Sequence, residues 1–187
     1  MKATSDVRER ILTTAGRLFH QQGYNLTGIN QIIAEADIAR ASLYQHFASK
    51  DELLLEYLRR TDEAWFAALA DFSQSCQTPQ EKLLALFDFR MARQQALGFA
   101  GCNFVKINAE VGRDKEPVFA LAAAHKERLR HFIQELVPQA LPQADADTQA
   151  DTADTLFLLL EGGGLTTTLR QDMWGLARAR ALAAKLL

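Results

Sequence analysis

Cysteine and long apolar runs are what this sequence most clearly lacks. Its two cysteines, Cys76 and Cys102, are too few and too far apart for a disulfide framework or a thiolate zinc site. The longest strongly apolar stretch, Leu156 to Leu160, is far shorter than the roughly 20 residues of a membrane-spanning helix. The first residues also lack the pattern of a secretory signal. We therefore expect a soluble, cytoplasmic protein without a membrane partner.

Sheet-forming patterns and catalytic motifs are missing as well. No segment sustains the apolar–polar alternation with β-branched residues that is typical of half-buried strands, so we expect an all-α fold of about nine helices. No nucleophile–base pair, carboxylate pair or cluster of metal ligands stands out. These absences predict a protein that is not an enzyme and that has no cofactor and no metal.

An excess of charge is also absent, because 21 Lys and Arg face 23 Asp and Glu and leave a formal net charge of −2. The distribution is uneven. Residues 1–50 contain six Lys and Arg against four Asp and Glu, which gives +2 and leaves −4 for the remainder. A small basic segment attached to an acidic body is one interpretation, and an ordinary solvated surface is the other.

What the sequence does contain is helical periodicity along its whole length. Residues 1–48 divide into three short amphipathic segments: the first ends at Gly23, the second begins after Thr27, and the third carries Leu43 and Phe47 on one face. Short helices joined by a three-residue turn are typical of a helix-turn-helix, which places its last helix in the major groove of DNA. Short amphipathic helices are also found in plain helical bundles.

Residues 49–187 are predicted to form a second, larger helical domain. Capping boxes at Ser49–Glu52 and Thr78–Glu81 each mark a helix start. Pro138 and Pro142 predict the end of the seventh helix. After it we expect a polar linker over residues 138–148 and two final helices near 148–170 and 173–186.

Residues 18–53 contain a signal that is more specific than helical periodicity. Residues 43–53 read Leu-Tyr-Gln-His-Phe-Ala-Ser-Lys-Asp-Glu-Leu, with aromatic, basic and capping positions in order. Further matching residues are Leu18, Phe19, Gly23, Tyr24, Thr27, Ile29, Ile32, Ala36, Ile38 and Ser42. Together they resemble the N-terminal signature of the TetR family of transcriptional regulators. Two residues depart from it, since Ile33 stands where Ala or Val is frequent and Ala41 where Gly is common.

The resemblance implies a ligand-responsive repressor that binds a palindromic operator in double-stranded DNA as a homodimer. The implied DNA-binding residues are Thr27, Arg40, Ser42, Tyr44, Gln45, His46 and Lys50. Gln45 is the best candidate for a base contact, alongside Arg40 and Ser42 in the groove. The third helix would also contact the DNA backbone through its Tyr44 and His46.

Two of these positions have specific phosphate roles under the resemblance, and two have alternatives. Thr27 would cap the second helix and lie near a phosphate. Lys50, in the first turn of the fourth helix, would bind a phosphate together with the helix amides. The alternative for Lys50 is a solvated helix start, and the alternative for Tyr44 is a core aromatic.

From residue 54 onward the resemblance is looser and implies a pocket for a small effector. Such pockets are mostly apolar with a few polar anchors. The candidate ligand-binding residues are Trp65, Phe66, Phe87, Met91, Cys102, Phe104, Asn108 and His125, with Arg90 and Gln94 as further possible anchors. Cys102 could be a reactive thiol at a helix start or a small buried residue.

Three consecutive glycines, residues 162–164, stand inside a predicted helix, where each costs about 1 kcal/mol relative to Ala. We interpret them as a close helix–helix approach in the dimer; the alternative is a break between two helices. The predicted dimer-interface residues are Leu156, Leu160, Gly163, Thr167, Leu176, Ala179 and Ala183.

Two other functional classes compete with the repressor. An enzyme would need a catalytic motif that the sequence does not show. A helical small-molecule-binding or sensor protein without specific DNA readout would leave the 43–53 run unexplained.

Overall fold

The computed structural model describes residues 2–112 and 114–187, with side chains from Asp6 onward. Within these residues the fold is all-α, with nine helices and no strand. The helices are α1 (Lys2–Gln22), α2 (Ile29–Glu35), α3 (Arg40–His46), α4 (Lys50–Phe72), α5 (Pro79–Ala96), α6 (Asn103–Glu110), α7 (Glu116–Ala140), α8 (Ala146–Arg170) and α9 (Trp174–Ala183). No helix in the described ranges is long and apolar enough to cross a membrane.

The chain divides into two compact units. The first unit comprises Met1–Ala64 and Asn103–Ala122, and the second comprises Trp65–Cys102 and Ala123–Leu187. The whole predicted DNA-binding segment, residues 1–48, lies in the first unit. The functional boundary after residue 48 stays a prediction.

Packing holds the three N-terminal helices together. Helices α2 and α3 have only seven residues each, and helices this short are not stable alone in water. Each contributes one fully buried residue, Ile32 and Leu43, to a core that α1 supplies with Ile11, Ala15 and Phe19. The apolar stripe of α1 therefore fixes the two shorter helices.

Two helix starts in the larger C-terminal part follow their predicted caps. Thr78 accepts a hydrogen bond from the Glu81 amide at 3.2 Å, and the Glu81 carboxylate accepts from the Thr78 amide at 3.1 Å. The Glu52 amide likewise donates to Ser49 Oγ at 3.1 Å, but the Glu52 carboxylate accepts from the Ala48 amide, one residue earlier than in a standard capping box.

The predicted cap of α2 is wrong. Gly28 is the N-cap residue and makes no side-chain cap. Thr27 is fully buried, and its hydroxyl donates to the Gly23 carbonyl at 2.6 Å and accepts from Gln22 Nε2 at 3.2 Å. With its hydroxyl engaged in this way, the Thr27 side chain is not available to a phosphate.

Helix α7 continues past Pro138, the first of the two prolines expected to stop it, and ends at Ala140, before Pro142. A proline removes one backbone donor, and near the end of a helix this loss affects only the last turn. Val137 and Ala140 are buried in the core of the second unit and hold that turn in place. The linker is accordingly short, and α8 begins after Asp145, whose carboxylate caps the Thr148 amide at 2.7 Å.

Helices α8 and α9 pack closely within one chain, and this packing explains Gly163. A Cβ at Gly163 would lie 2.8 Å from Ala179 Cβ and 3.0 Å from the Gly175 carbonyl oxygen. The Leu176 amide donates to Thr167 Oγ1 at 2.9 Å across the same crossing. Helix α8 is continuous through the three glycines, so the alternative of a break is wrong.

The predicted dimer interface is wrong for the same reason. All seven residues are buried within the single chain, at 0–4% exposure for the side chains other than glycine. Leu156, Leu160, Leu176, Ala179 and Ala183 belong to the core of the second unit. A residue buried in its own chain has no surface left for a second copy.

Candidate nucleic-acid interface

The turn between α2 and α3 is fixed by a side chain from α1. Asp37 has a φ of 50°, in the left-handed region that breaks the helix. The Arg10 guanidinium donates to the carbonyl oxygens of Ala36 and Asp37, the latter at 2.6 Å. Because Arg10 of α1 binds both carbonyls, it holds the turn, and with it the start of α3, against α1.

Helix α3 presents a polar face to solvent. Leu43 is fully buried and Phe47, just after the helix, is 2% exposed, so this side of α3 faces the core. Arg40, Tyr44 and Gln45 are exposed on the other side. A short helix with an exposed polar face is the element that a major groove can accommodate.

Two of the exposed residues are ordered by their neighbours. Arg40 Nη1 donates to Asn30 Oδ1 at 3.1 Å, and its guanidinium carbon lies 5.8 Å from the centroid of the Tyr44 ring. Tyr44 is 45% exposed, so the alternative of a core aromatic is wrong. Ser42 and His46 are half-buried at the edge of this face.

Lys50 is not a freely solvated helix start. Its Nζ lies 4.0 Å from the centroid of the Tyr24 ring, a cation–π contact, and the residue is half-buried. Burial lowers the pKa of Lys50, while the Asp51 and Glu110 carboxylates act to raise it. The aromatic ring holds the ammonium at the start of α4, beside the DNA-binding segment.

A small charged cluster beneath Lys50 ties Tyr24 to the chain that follows α6. The Asp51 carboxylate accepts hydrogen bonds from the Tyr24 hydroxyl and the Lys115 ammonium. These two donors lower the pKa of Asp51. Burial, with the Asp51 hydrogen bond, raises the pKa of Tyr24.

Helix α6 is hydrogen-bonded to the predicted DNA-binding segment. The Asn25 amide donates to Glu110 Oε2 at 3.0 Å, and Asn25 Nδ2 donates to the Glu110 carbonyl at 2.7 Å. At the other end of α6, Asn103 pairs with His20 at 2.7 Å and donates to the Tyr57 hydroxyl at 2.8 Å. These contacts could not be predicted from the sequence, because isolated polar residues far apart in the chain show no pattern.

The predicted ligand-binding residues fall into both units. In the second unit, the His125 ring lies 5.4 Å from Trp65 and 5.7 Å from Phe66, edge to face. The others there are Phe87, which is 1% exposed, and Met91 and Cys102, which are half-buried. Phe104 and Asn108 belong to the first unit, where Asn108 Oδ1 is buried without a hydrogen-bond partner in the described residues. Their role in binding a ligand stays a prediction.

An apolar surface that the sequence analysis missed runs along α8. Leu158, Leu165 and Leu169 are 67%, 57% and 75% exposed, and Gly162 between them faces open space. Trp174, at the start of α9, is 58% exposed. We call these five residues the α8 stripe. The four stripe residues on α8 are spaced by four, three and four positions, and this spacing is the signal that could have revealed the surface.

Two short helices held against α1, the second of them with an exposed polar face, define a helix-turn-helix regulator. The chain belongs to the TetR family: the sequence model of "Bacterial regulatory proteins, tetR family" matches residues 11–57. The repressor KstR2 of Mycobacterium tuberculosis is 38% identical over 137 residues, which cover 73% of this chain and 67% of that protein.

Other relatives match over shorter segments or through the fold. The transcriptional regulator LmrA of Bacillus subtilis is 42% identical over 81 residues, 43% of each chain, so this chain spans less than half of that relative. A solved TetR-family regulator from Streptomyces coelicolor superimposes with a TM-score of 0.80 at 27% identity, covering 96% of this chain and 97% of the other.

Proposed function

We propose that this protein represses transcription by binding a palindromic operator as a homodimer, and that a small effector molecule releases it. The exposed polar face of α3, fixed by α1 through Arg10, is the observation that carries the proposal. Proteins of this class read base edges in the major groove and position themselves through phosphates. Because its proposed binding target is chromosomal DNA, we place the protein in the cytoplasm.

The residues of this face divide into two roles. Gln45 and Arg40 carry the donors and acceptors that match adenine and guanine edges. Tyr44 and His46, in the second half of α3, and Lys50, at the start of α4, carry a hydroxyl, a ring N–H and an ammonium that can bind phosphates. Ser42 is half-buried and contributes at most through its hydroxyl. Thr27 takes no part, because its side chain is buried.

The α8 stripe supports the dimer. A row of three exposed leucines is unusual on a surface that faces only water. A palindromic operator requires two identical headpieces related by a twofold axis, and an isologous interface uses the same patch on both copies. We infer that the stripe packs against its counterpart in a second chain, where Gly162 permits close approach.

Helix α6 supports a route from effector to DNA. Its C-terminal Glu110 holds Asn25 by two hydrogen bonds, and Asn25 stands four residues before α2. A displacement of α6 on ligand binding would therefore pull on the DNA-binding segment. Effector and operator then oppose each other by the same factor in both directions.

The decisive experiment measures binding to DNA from the region upstream of the protein's own gene. Fluorescence anisotropy should give at least about 1,000-fold tighter binding to one palindromic site than to scrambled DNA of equal length. Equal binding to both duplexes would reject the repressor and favour a helical ligand-binding protein without specific readout.

A further inference from the structure

A buried guanidinium without a partner lies on α5. Arg90 is only 6% exposed, and it forms no hydrogen bond or ion pair with any residue that the structure describes. One turn earlier on the same helix, Leu86 and Phe87 are fully buried. A buried cation is normally paired, because protein apolar groups cannot replace the water it loses.

A second donor stands one turn further along α5. Gln94 is 5% exposed, and its Oε1 accepts a hydrogen bond from the Gly101 amide at 3.3 Å. The oxygen is thereby engaged, and Nε2 has no acceptor among the described residues. Residues four apart share a helix face, so Arg90 and Gln94 together form a surface rich in donors and poor in acceptors.

Small residues let α8 pack directly against the guanidinium. A Cβ at Gly164 would lie 2.7 Å from Arg90 Nη2, so a side chain there would displace the guanidinium. Gly101, with a φ of 84°, approaches Thr168 closely, and the Thr168 hydroxyl donates to the Gly164 carbonyl at 3.0 Å. The donors are therefore flanked by backbone and small side chains.

Two carboxylates of the same helices, Asp88 and Glu161, form ion pairs with other residues. Asp88 on α5 accepts two hydrogen bonds from Arg180, at 2.6 and 2.9 Å. On α8, Glu161 Oε2 accepts from Lys126 at 2.6 Å, and Glu161 Oε1 is buried without a hydrogen-bond partner among the described residues. Neither forms an ion pair with Arg90, whose charge therefore has no carboxylate partner among the residues that the structure describes.

We propose that Arg90 and Gln94 bind the carboxylate of the effector, and that the effector is an apolar monocarboxylic acid. The planar guanidinium matches a carboxylate through two parallel hydrogen bonds, and Gln94 Nε2 supplies a third. One positive charge balances a monoanion, whereas a phosphate dianion would keep an uncompensated charge in a buried site. The apolar part of the acid follows from the neighbouring Leu86 and Phe87. This inference rests on the proposed function, which requires an effector.

The test compares acids with their neutral amides on the full-length protein. Octanoate, decanoate and phenylacetate are titrated by calorimetry beside octanamide, decanamide and phenylacetamide. We expect at least one acid to bind about tenfold or more tightly than its amide, because only the acid offers a charge-assisted bidentate contact. The proposal is overturned if none of the acids binds, or if each amide binds as tightly as its acid.

Three variants assign the preference to this site. Arg90→Met should bring acid and amide to within about twofold of each other, Arg90→Lys should retain part of the preference, and Gly164→Ala should weaken acid binding without changing any charge. Arg90→Met should also leave the melting temperature unchanged or raise it, because it removes an unpaired buried charge. A large fall in melting temperature, or an acid preference that survives Arg90→Met, overturns the proposal.

Operator binding is measured separately on the same samples. Acid binding that depends on Arg90 but does not release DNA leaves the carboxylate site intact and contradicts the effector mechanism. DNA release by a neutral compound, with no acid preference, supports the repressor and overturns the carboxylate site.

Discussion

Lys50 and Gln45 should affect DNA binding in different ways, and this difference tests the orientation of α3. The Lys50 ammonium, held on the Tyr24 ring at 4.0 Å, can act only as a point charge on a phosphate. Gln45 is exposed on α3 and can form two hydrogen bonds to an adenine edge. Lys50→Ala should therefore weaken binding to every DNA sequence. Gln45→Ala should weaken binding only to duplexes that carry the base pair contacted by Gln45.

The expected magnitudes follow from one such contact in each half-site. Each phosphate contact contributes about 0.9 to the slope of log affinity against log salt, so Lys50→Ala should flatten the slope by about 1.8 for the dimer. Between 50 and 200 mM salt, the ratio of wild-type to variant affinity should then fall about twelvefold. Gln45→Ala should leave the slope unchanged and lose about 1–3 kcal/mol of discrimination at one base pair per half-site.

The assay is anisotropy with labelled operator duplexes over a salt series, repeated with each base pair of a half-site substituted. Lys82→Ala removes an exposed lysine from α5 and serves as the matched control, with no effect on slope or preference. A changed base preference in Lys50→Ala, together with a changed salt slope in Gln45→Ala, would show that α3 enters the groove in another orientation.

Three further predictions concern assembly, packing and pH. Leu165→Glu should turn the dimer into a monomer in sedimentation at micromolar concentration, whereas Leu97→Glu, at another exposed apolar position, should not. Gly175→Ala should lower the free energy of unfolding by about 1–3 kcal/mol in thermal unfolding, because its Cβ would meet backbone atoms at 2.6 and 2.9 Å. The control is Gly162→Ala in the Leu165→Glu monomer, which should not lower stability because nothing lies within reach of that Cβ. The folded-state pKa of Asp51 is lowered, so the contribution of Asp51 to stability is present above about pH 4 and is lost as pH falls further. Asp51→Asn should remove this pH dependence of stability. An acid unfolding transition that is unchanged in Asp51→Asn would contradict the prediction.

The family, the all-α fold and the position of the helix-turn-helix could be predicted because their signals are local. Residues 43–53 combine a buried face, an exposed face and a helix start within eleven positions. The capping box at Thr78 is likewise complete within four residues. Signals of this kind depend only on neighbouring residues, so they can be interpreted without knowledge of tertiary contacts.

Some local signals misled because tertiary packing overrode them. Thr27 has the side chain of a helix cap, but the Gly23 carbonyl lies within reach of its hydroxyl, and that hydrogen bond is made instead. Pro138 has the backbone of a helix stop, but burial of Val137 and Ala140 extends α7 past it. In both cases the sequence specifies what a residue can do, and the surrounding core decides which option is used.

Helix α8 shows why the dimer surface could not be located from sequence alone. Leu156, Leu160, Gly163 and Thr167 have the same spacing as the residues of the α8 stripe, and the two sets are offset by two positions. Two positions on an α-helix correspond to about 200°, so the sets lie on opposite faces. Both contain one glycine and at least two leucines, so composition does not separate them. A helix that is apolar on opposite faces must be covered on both. In this chain α9 covers the first set through Gly175 and Ala179, and we infer that the second set is covered by another copy of the protein.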